Sequence, residues 1–128
     1  MAQSTVLVVE DDQHQRELYR EELSDDGYRV ITAADGREAL SVVREETPDI
    51  VILDINMPVM DGLDTLSRLL EHNSHMPVII NTAYASYQDS FTSWSADAYV
   101  VKSSDLTELK QTVQRLLAAR PDTSRSNS

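Results

Sequence analysis

The chain has 128 residues, 41% of them hydrophobic and 26% charged, which is the composition of one soluble globule able to bury roughly two-thirds of the surface its unfolded form exposes. Acidic residues outnumber basic ones 22 to 11, for a formal net charge of -11. Such a field repels phosphate backbones and anionic lipid, so direct nucleic-acid or membrane-surface binding is excluded as a primary role.

No cysteine is present, which removes disulfides and thiolate metal sites from consideration. The opening MAQSTVLVVEDD lacks a basic region followed by a long apolar stretch, and no run approaches a membrane span, so a cytoplasmic protein without membrane insertion is expected.

In chain order, the first predicted element is a strand at Thr5–Val9, followed by a helix carrying Leu18 and Leu23 that stops at Gly27, a residue suited to the position after a helix C-cap. A second strand, Tyr28–Ala33, leads to Asp35-Gly36 as the opening of a helix with Ala39, Leu40 and Val43 on its apolar face. Pro48-Asp49 introduces a third strand, Ile50–Leu53. Asp61-Gly62 reads as a turn and the start of a helix bearing Leu63, Leu66, Leu69 and Leu70. Strands at Pro77–Asn81 and Ala98–Val101 follow. Between them Tyr84, Tyr87, Phe91 and Trp94 recur at helical spacing, but the segment is rich in Ser, Thr and aromatics, so a short, mobile fourth helix is expected. Phe91 and Trp94 are assigned to its core side, whereas Tyr84 and Tyr87 are left open between packing and partner contact.

The last helix starts at a capping-box-like Asp105 and Glu108, carries Leu106, Leu109, Val113, Leu116 and Leu117 as one stripe, and ends near Arg120 before Pro121. Residues 1–120 are therefore read as one domain, and PDTSRSNS at 121–128 as a flexible tail or the start of a linker. Continuous apolar runs such as VLVV and IVIL belong to strands covered on both faces. The fold class is α/β, a doubly wound five-stranded parallel sheet between helical layers.

Ligands of such sheets bind beyond the carboxyl ends of the strands. There the sequence places Glu10-Asp11-Asp12, Asp54, Thr82 and Lys102. Carboxylates at close approach repel by roughly 1 kcal/mol per pair in water and about 4 near a protein surface, so the cluster calls for a cation. Oxygen ligands alone favour a hard ion, and Mg2+ takes one or two carboxylates together with water and phosphate. A carboxylate so placed can be a nucleophile toward phosphorus, giving an acyl phosphate whose oxygens Lys102 and Thr82 would hold.

VLVVEDD, DIVILDINMPVMDG, VIINTA and ADAYVVK, in this order and spacing, resemble the response-regulator receiver family over about residues 5–119. The resemblance implies the flavodoxin-like strand order 2-1-3-4-5. It implies Asp54 as phosphoacceptor, Asp11 as direct metal ligand, Glu10 as a ligand through water and the backbone carbonyl of Asn56 as a further ligand. Thr82 and Tyr99 match the family's switch pair, Lys102 its lysine, and Asn56 and Tyr84 the positions that tune the lifetime of the phosphoryl group. The implied partners are a histidine kinase or phosphotransfer protein as donor and a downstream protein target, with homodimerisation through the face of the fourth helix, fifth strand and fifth helix.

Two positions depart from the family pattern: Ser103 stands where proline after a cis bond is usual, and Ser95 where glycine is common. They leave open an alternative, a pseudo-receiver that keeps the fold as a phosphorylation-independent interaction module. A Mg2+-dependent phosphohydrolase needs a general acid beside the nucleophile, where the sequence has Asn56 instead. Modification chemistry on its own side chain, and not turnover of an external substrate, is thus the expectation. Asp12 is read as a helix-start acid, and His14, His72 and His75 as solvent-exposed residues, because their spacing matches no ligand set.

Overall fold

The computed structural model describes residues 3–54, 59–73, 75–83 and 95–119, of which 59–63 are described in their backbone only. Five strands, β1 (Thr5–Val9), β2 (Arg29–Ala33), β3 (Ile50–Leu53), β4 (Val78–Thr82) and β5 (Ala98–Val101), form one sheet in the order β2-β1-β3-β4-β5. Every pairing is parallel. The described helices are α1 (Gln13–Asp25), α2 (Gly36–Glu46), α3 (Val59–His72) and α4 (Thr107–Ala119).

Strand periodicity divides the core in two. Leu7, Val9, Val51, Leu53, Val78 and Ile80 face one side, where Ala39 and Val43 of α2 and Leu66 and Leu69 of α3 cover them. Val6, Val8, Ile50, Ile52, Ile79 and Val100 face the other, against Tyr19 and Leu23 of α1 and Leu109 and Val113 of α4. Each large side chain withdrawn from water in this way contributes roughly 1.5–3 kcal/mol. The unbroken apolar strands follow from this double cover.

Two aspartates pin the strand register at the amino edge. Asp49 accepts from the Thr5 amide at 2.7 Å and returns its own amide to the Thr5 carbonyl at 2.8 Å. Asp97 does the same with Val78, at 2.9 Å in both directions. A one-residue slip would send every side chain to the opposite face, so these clamps also decide what converges at the carboxyl edge.

Local chemistry sets the helix ends. Asp12 caps α1 by accepting from the Gln15 amide at 3.0 Å. At the other end Gly27, with φ of 97°, donates to Ser24 O while the Tyr28 amide donates to Leu23 O, which is a Schellman closure requiring a left-handed residue. Asp35 caps α2 through the Glu38 amide, and Glu38 in turn accepts from the Ala34 amide, both at 2.9 Å. Next to it Gly36 lies where a Cβ would sit 2.0 Å from Thr65 Oγ1, so the close approach of α2 to α3 depends on the missing side chain.

Several boundaries differ from the sequence expectation. Tyr28 closes α1 and does not begin β2. The fourth strand is Val78–Thr82, one residue later than expected. Asp61-Gly62 lies inside the first turn of α3, which already starts at Val59. The capping box at Asp105 and Glu108 does not form. Asp105 instead accepts from the Thr107 amide at 2.9 Å and the Thr107 hydroxyl at 2.6 Å, and gives its own amide to Ser103 Oγ at 3.1 Å. A proline at 103 would have no oxygen to accept that bond. Ser95 adopts φ of 65°, the backbone state for which glycine is suited. The helix expected around Tyr84, Tyr87, Phe91 and Trp94 lies outside the described residues, as do Arg120 and 121–128.

Candidate functional site

The carboxyl edge gathers its polar groups by strand register. β1 and β3 pair Val9 with Leu53, and β3 and β4 pair Leu53 with Ile80, so one step further Glu10, Asp54 and Asn81 stand side by side. Glu10 shares the face of Val8, Asp54 that of Ile52 and Asn81 that of Ile79, all on the α1 and α4 side. Lys102 shares the face of Val100, and its amide donates to Thr82 O at 2.7 Å, which extends the β4–β5 ladder beyond the last strand residue.

Burial turns this row into an electrostatic problem. Glu10 and Asp54 are 1% and 2% exposed, and together with exposed Asp11 they bring one carboxylate oxygen each within 4.8 Å of one another. Lys102 Nζ lies 2.9 Å from Asp54 Oδ2, to which it donates, and 2.8 Å from Glu10 Oε1, an ion pair without hydrogen-bond alignment. Glu10 Oε2 accepts from the Asp12 amide at 3.1 Å.

One ammonium does not balance this cluster. Desolvation pushes the Glu10 carboxyl up to about 7, and the neighbouring Asp54 adds to the rise against the opposing pull of Lys102 and the Asp12 amide. Burial disfavours the Lys102 charge, yet the Glu10 and Asp54 carboxylates outweigh it and raise the Lys102 pKa. Three converging carboxylates, one of them holding a proton near neutrality, are a donor set short of positive charge. That is what a hard divalent cation supplies, and the residues present fit Mg2+.

The expected site residues fall into three groups. Glu10, Asp11, Asp54 and Lys102 converge as described. Thr82, fully buried at the end of β4, and Tyr99, 8% exposed and packed in the α2 and α3 cluster, share the opposite face of the sheet. Asn56 and Tyr84 lie outside the described residues. None of the described peptide bonds is cis, so Lys102–Ser103 is trans, and Lys102 reaches Asp54 nonetheless. His14, His72 and His75 are all exposed.

Three contributors escaped the sequence reading. Arg16 donates to the carbonyls of Glu10 and Asp11 at 2.8 and 3.3 Å, holding the acidic turn. Tyr19 and Asn81 are buried beside the pocket. An amide directly after the apolar Val78-Ile79-Ile80 run was the available signal for Asn81.

Comparison with known proteins agrees with this geometry. Residues 6–114 match the family described as the response regulator receiver domain. The transcriptional regulatory protein PrrA of Mycobacterium tuberculosis is 39% identical over 125 residues, covering 96% of this chain and 54% of that protein. This chain therefore spans about half the length of the curated relatives it matches first. Among solved structures, response regulator protein TrrA of Thermotoga maritima in complex with Mg2+-BeF is 42% identical, with a TM-score of 0.81 over 88% of this chain and 98% of that one. The same regulator in complex with histidine kinase ThkA matches at 42% identity and a TM-score of 0.80, over 89% of this chain and 98% of that one. With the sheet order, the acidic pocket and its lysine already in place, the match over most of the sequence shows that the chain belongs to the response regulator receiver family.

Proposed function

We propose that Asp54 accepts a phosphoryl group from a histidine kinase or phosphotransfer protein. In this reading Glu10, Asp11, Asp54 and the Asn56 carbonyl hold Mg2+, and the modified domain signals to a downstream protein target. The observation that carries the reading is Lys102 Nζ bridging Asp54 and Glu10 at 2.9 and 2.8 Å inside a cluster of three carboxylates.

In the transfer, an Asp54 oxygen attacks phosphorus, the bond to the donor nitrogen breaks with its electron pair left on the donor, and a mixed anhydride forms on the side chain. When bound, Mg2+ supplies neutralisation of the phosphoryl oxygens. Lys102 already sits against Asp54 and is placed to take one incoming oxygen as its contact with Glu10 loosens. The Thr82 hydroxyl takes another, and Tyr99 changes position with it as the second member of the switch. Asn56 and Tyr84 set how quickly water removes the group. The receiver comprises residues 1–120, with 121–128 as tail or linker. Its changed surface, the face of the helix expected around residues 84–94 together with β5 and α4, meets the downstream target or a second copy of the chain.

The trans Lys102–Ser103 bond and the Ser103–Asp105 hydrogen bond support this reading over the pseudo-receiver, because the departure from proline leaves Lys102 on Asp54. Intact-mass measurement after incubation with acetyl phosphate and Mg2+ tests it. The native protein gains one acid-labile phosphoryl group and Asp54→Asn gains none. Equal labelling of the two proteins, or labelling that persists with Mg2+ chelated, would overturn the assignment.

A further inference from the structure

Lys102 reaches Asp54 only by crossing β4, and Glu10 only by crossing β4 and β3: it leaves the end of β5, while Asp54 follows β3 and Glu10 follows β1. On the crossed face, the β4 residue level with Asp54 is Asn81. Asn81 thus stands on the strand between the lysine and the carboxylate, on the face onto which α1 packs Tyr19.

Tyr19 and Asn81 are 3% and 2% exposed. The Tyr19 phenol donates to Gln15 Oε1 at 3.5 Å, and the Asn81 amide lies near enough to the phenol to hold its pKa down against burial. The phenol is close enough to Lys102, Glu10 and Asp54 to feel all three charges. Two apolar side chains would fill this layer of the core without the demand for mutual satisfaction that a buried polar pair carries. The buried apolar strand residues on this face are Val, Ile and Ala, and Asn81 interrupts them in β4 at the level of the reacting carboxylate.

We propose that Tyr19 and Asn81 are positioning residues for phosphoryl transfer: buried on one face of the sheet at the level of Asp54, they form the polar wall that aims the Lys102 ammonium at Asp54. The inference rests on the assignment of Asp54 and Lys102 above. Tyr19 belongs to α1 and Asn81 to β4, immediately before Thr82, so the pair also ties the helix after the acidic turn to the strand that carries the hydroxyl.

The test separates aiming from packing. Replacing Tyr19 leaves a buried amide beside an apolar ring, and replacing Asn81 leaves the phenol only its long bond to Gln15, whereas replacing both by apolar groups of similar shape is close to neutral for stability. Tyr19→Phe and Asn81→Leu are each expected to lower the midpoint of urea unfolding, and the double variant to recover it. Labelling by acetyl phosphate at saturating Mg2+ is not recovered in the double variant. Its rate stays about tenfold below native, the loss expected when roughly half an ångström of misplacement occurs where about 1 Å costs a hundredfold. Mg2+ affinity by calorimetry is unchanged, since no metal-facing group is altered.

A double variant that labels at the native rate overturns the proposal, as does Tyr19→Phe labelling at the native rate should the double variant fail to fold. Absence of labelling in the native protein is a different failure, that of the phosphoacceptor assignment itself.

Discussion

Glu10 makes the metal-free protein pay for its site in stability, and the cost depends on pH. Burial raises its carboxyl from an ordinary 4.5 to about 7, so the folded state holds this proton more tightly than the unfolded chain. Stability from this group is then fully present below about 4.5 and is lost as pH rises through about 7. At about 1.4 kcal/mol per pH unit of displacement, ionised Glu10 costs on the order of 3 kcal/mol in alkaline buffer. Glu10→Gln preserves the side-chain shape and removes the titration. The stability of the variant minus that of the native protein is expected to climb by on the order of 3 kcal/mol between about pH 5 and 8.5, or about 10 °C in Tm for a domain of this size. Urea unfolding followed by circular dichroism, in chelator and at constant ionic strength, measures the difference; groups titrating alike in both proteins cancel. Mg2+ should then stabilise the native protein more than the variant, because it binds the folded cluster and not the unfolded chain. A difference that stays flat across this range would refute the reasoning, since it would mean that Glu10 is ionised in the folded protein without cost.

Other substitutions probe the same physics. Lys102→Met removes the cation between two buried carboxylates and should lower metal-free stability by about 3–5 kcal/mol in alkaline buffer, less where Glu10 is protonated, as read by urea titration at two pH values. Gly36→Ala drives a Cβ into Thr65 Oγ1 and should cost about 1–3 kcal/mol; adding Thr65→Ala should return more than half of it, and a purely additive pair of losses would contradict the α2–α3 contact. Ser95→Gly relieves a φ of 65° and is expected to raise stability by about 0.5–1 kcal/mol in thermal unfolding, whereas a loss would mean that the serine side chain stabilises the turn.

The fold was legible because its signals are local and repeated. Unbroken apolar runs in β1 and β3, and Gly27 after α1, each carry a physical reason visible in the chain itself. The errors fall where a tertiary partner outcompetes the local rule. Tyr28 reads as strand because it is a β-favouring aromatic, yet its amide closes α1. Asp105 and Glu108 have capping-box spacing, but Ser103 and Thr107 claim Asp105 first. The acids and Lys102 were readable as strand-end groups, whereas Tyr19 and Asn81 were not, since their meaning lies in which face of which strand the lysine must cross.

That dependence on faces bears on how a modification can be transmitted. Glu10, Asp54, Asn81 and Lys102 stand on the side of the sheet packed by α1 and α4, whereas Thr82 and Tyr99 belong to the side packed by α2 and α3. A side chain on one face cannot displace one on the other through closely packed strands. Communication must therefore pass over the carboxyl edge, where Thr82 is joined by its carbonyl to the Lys102 amide at 2.7 Å and follows directly on Asn81. On the proposed function, a phosphoryl group on Asp54 would redirect Lys102 and, through that shared edge, bias the Thr82 position. The signal can be no larger than the difference in free energy with which the phosphoryl group favours one arrangement of the edge, about 1.4 kcal/mol for each tenfold change in population. Loosening the edge without touching any ligand, as Asn81→Leu does, should thus weaken the coupling between labelling and the environment of Tyr99. Two-dimensional NMR of the Tyr99 ring, with and without beryllofluoride and Mg2+, reads that coupling directly. A ring shift as large in the variant as in the native protein would place the route elsewhere.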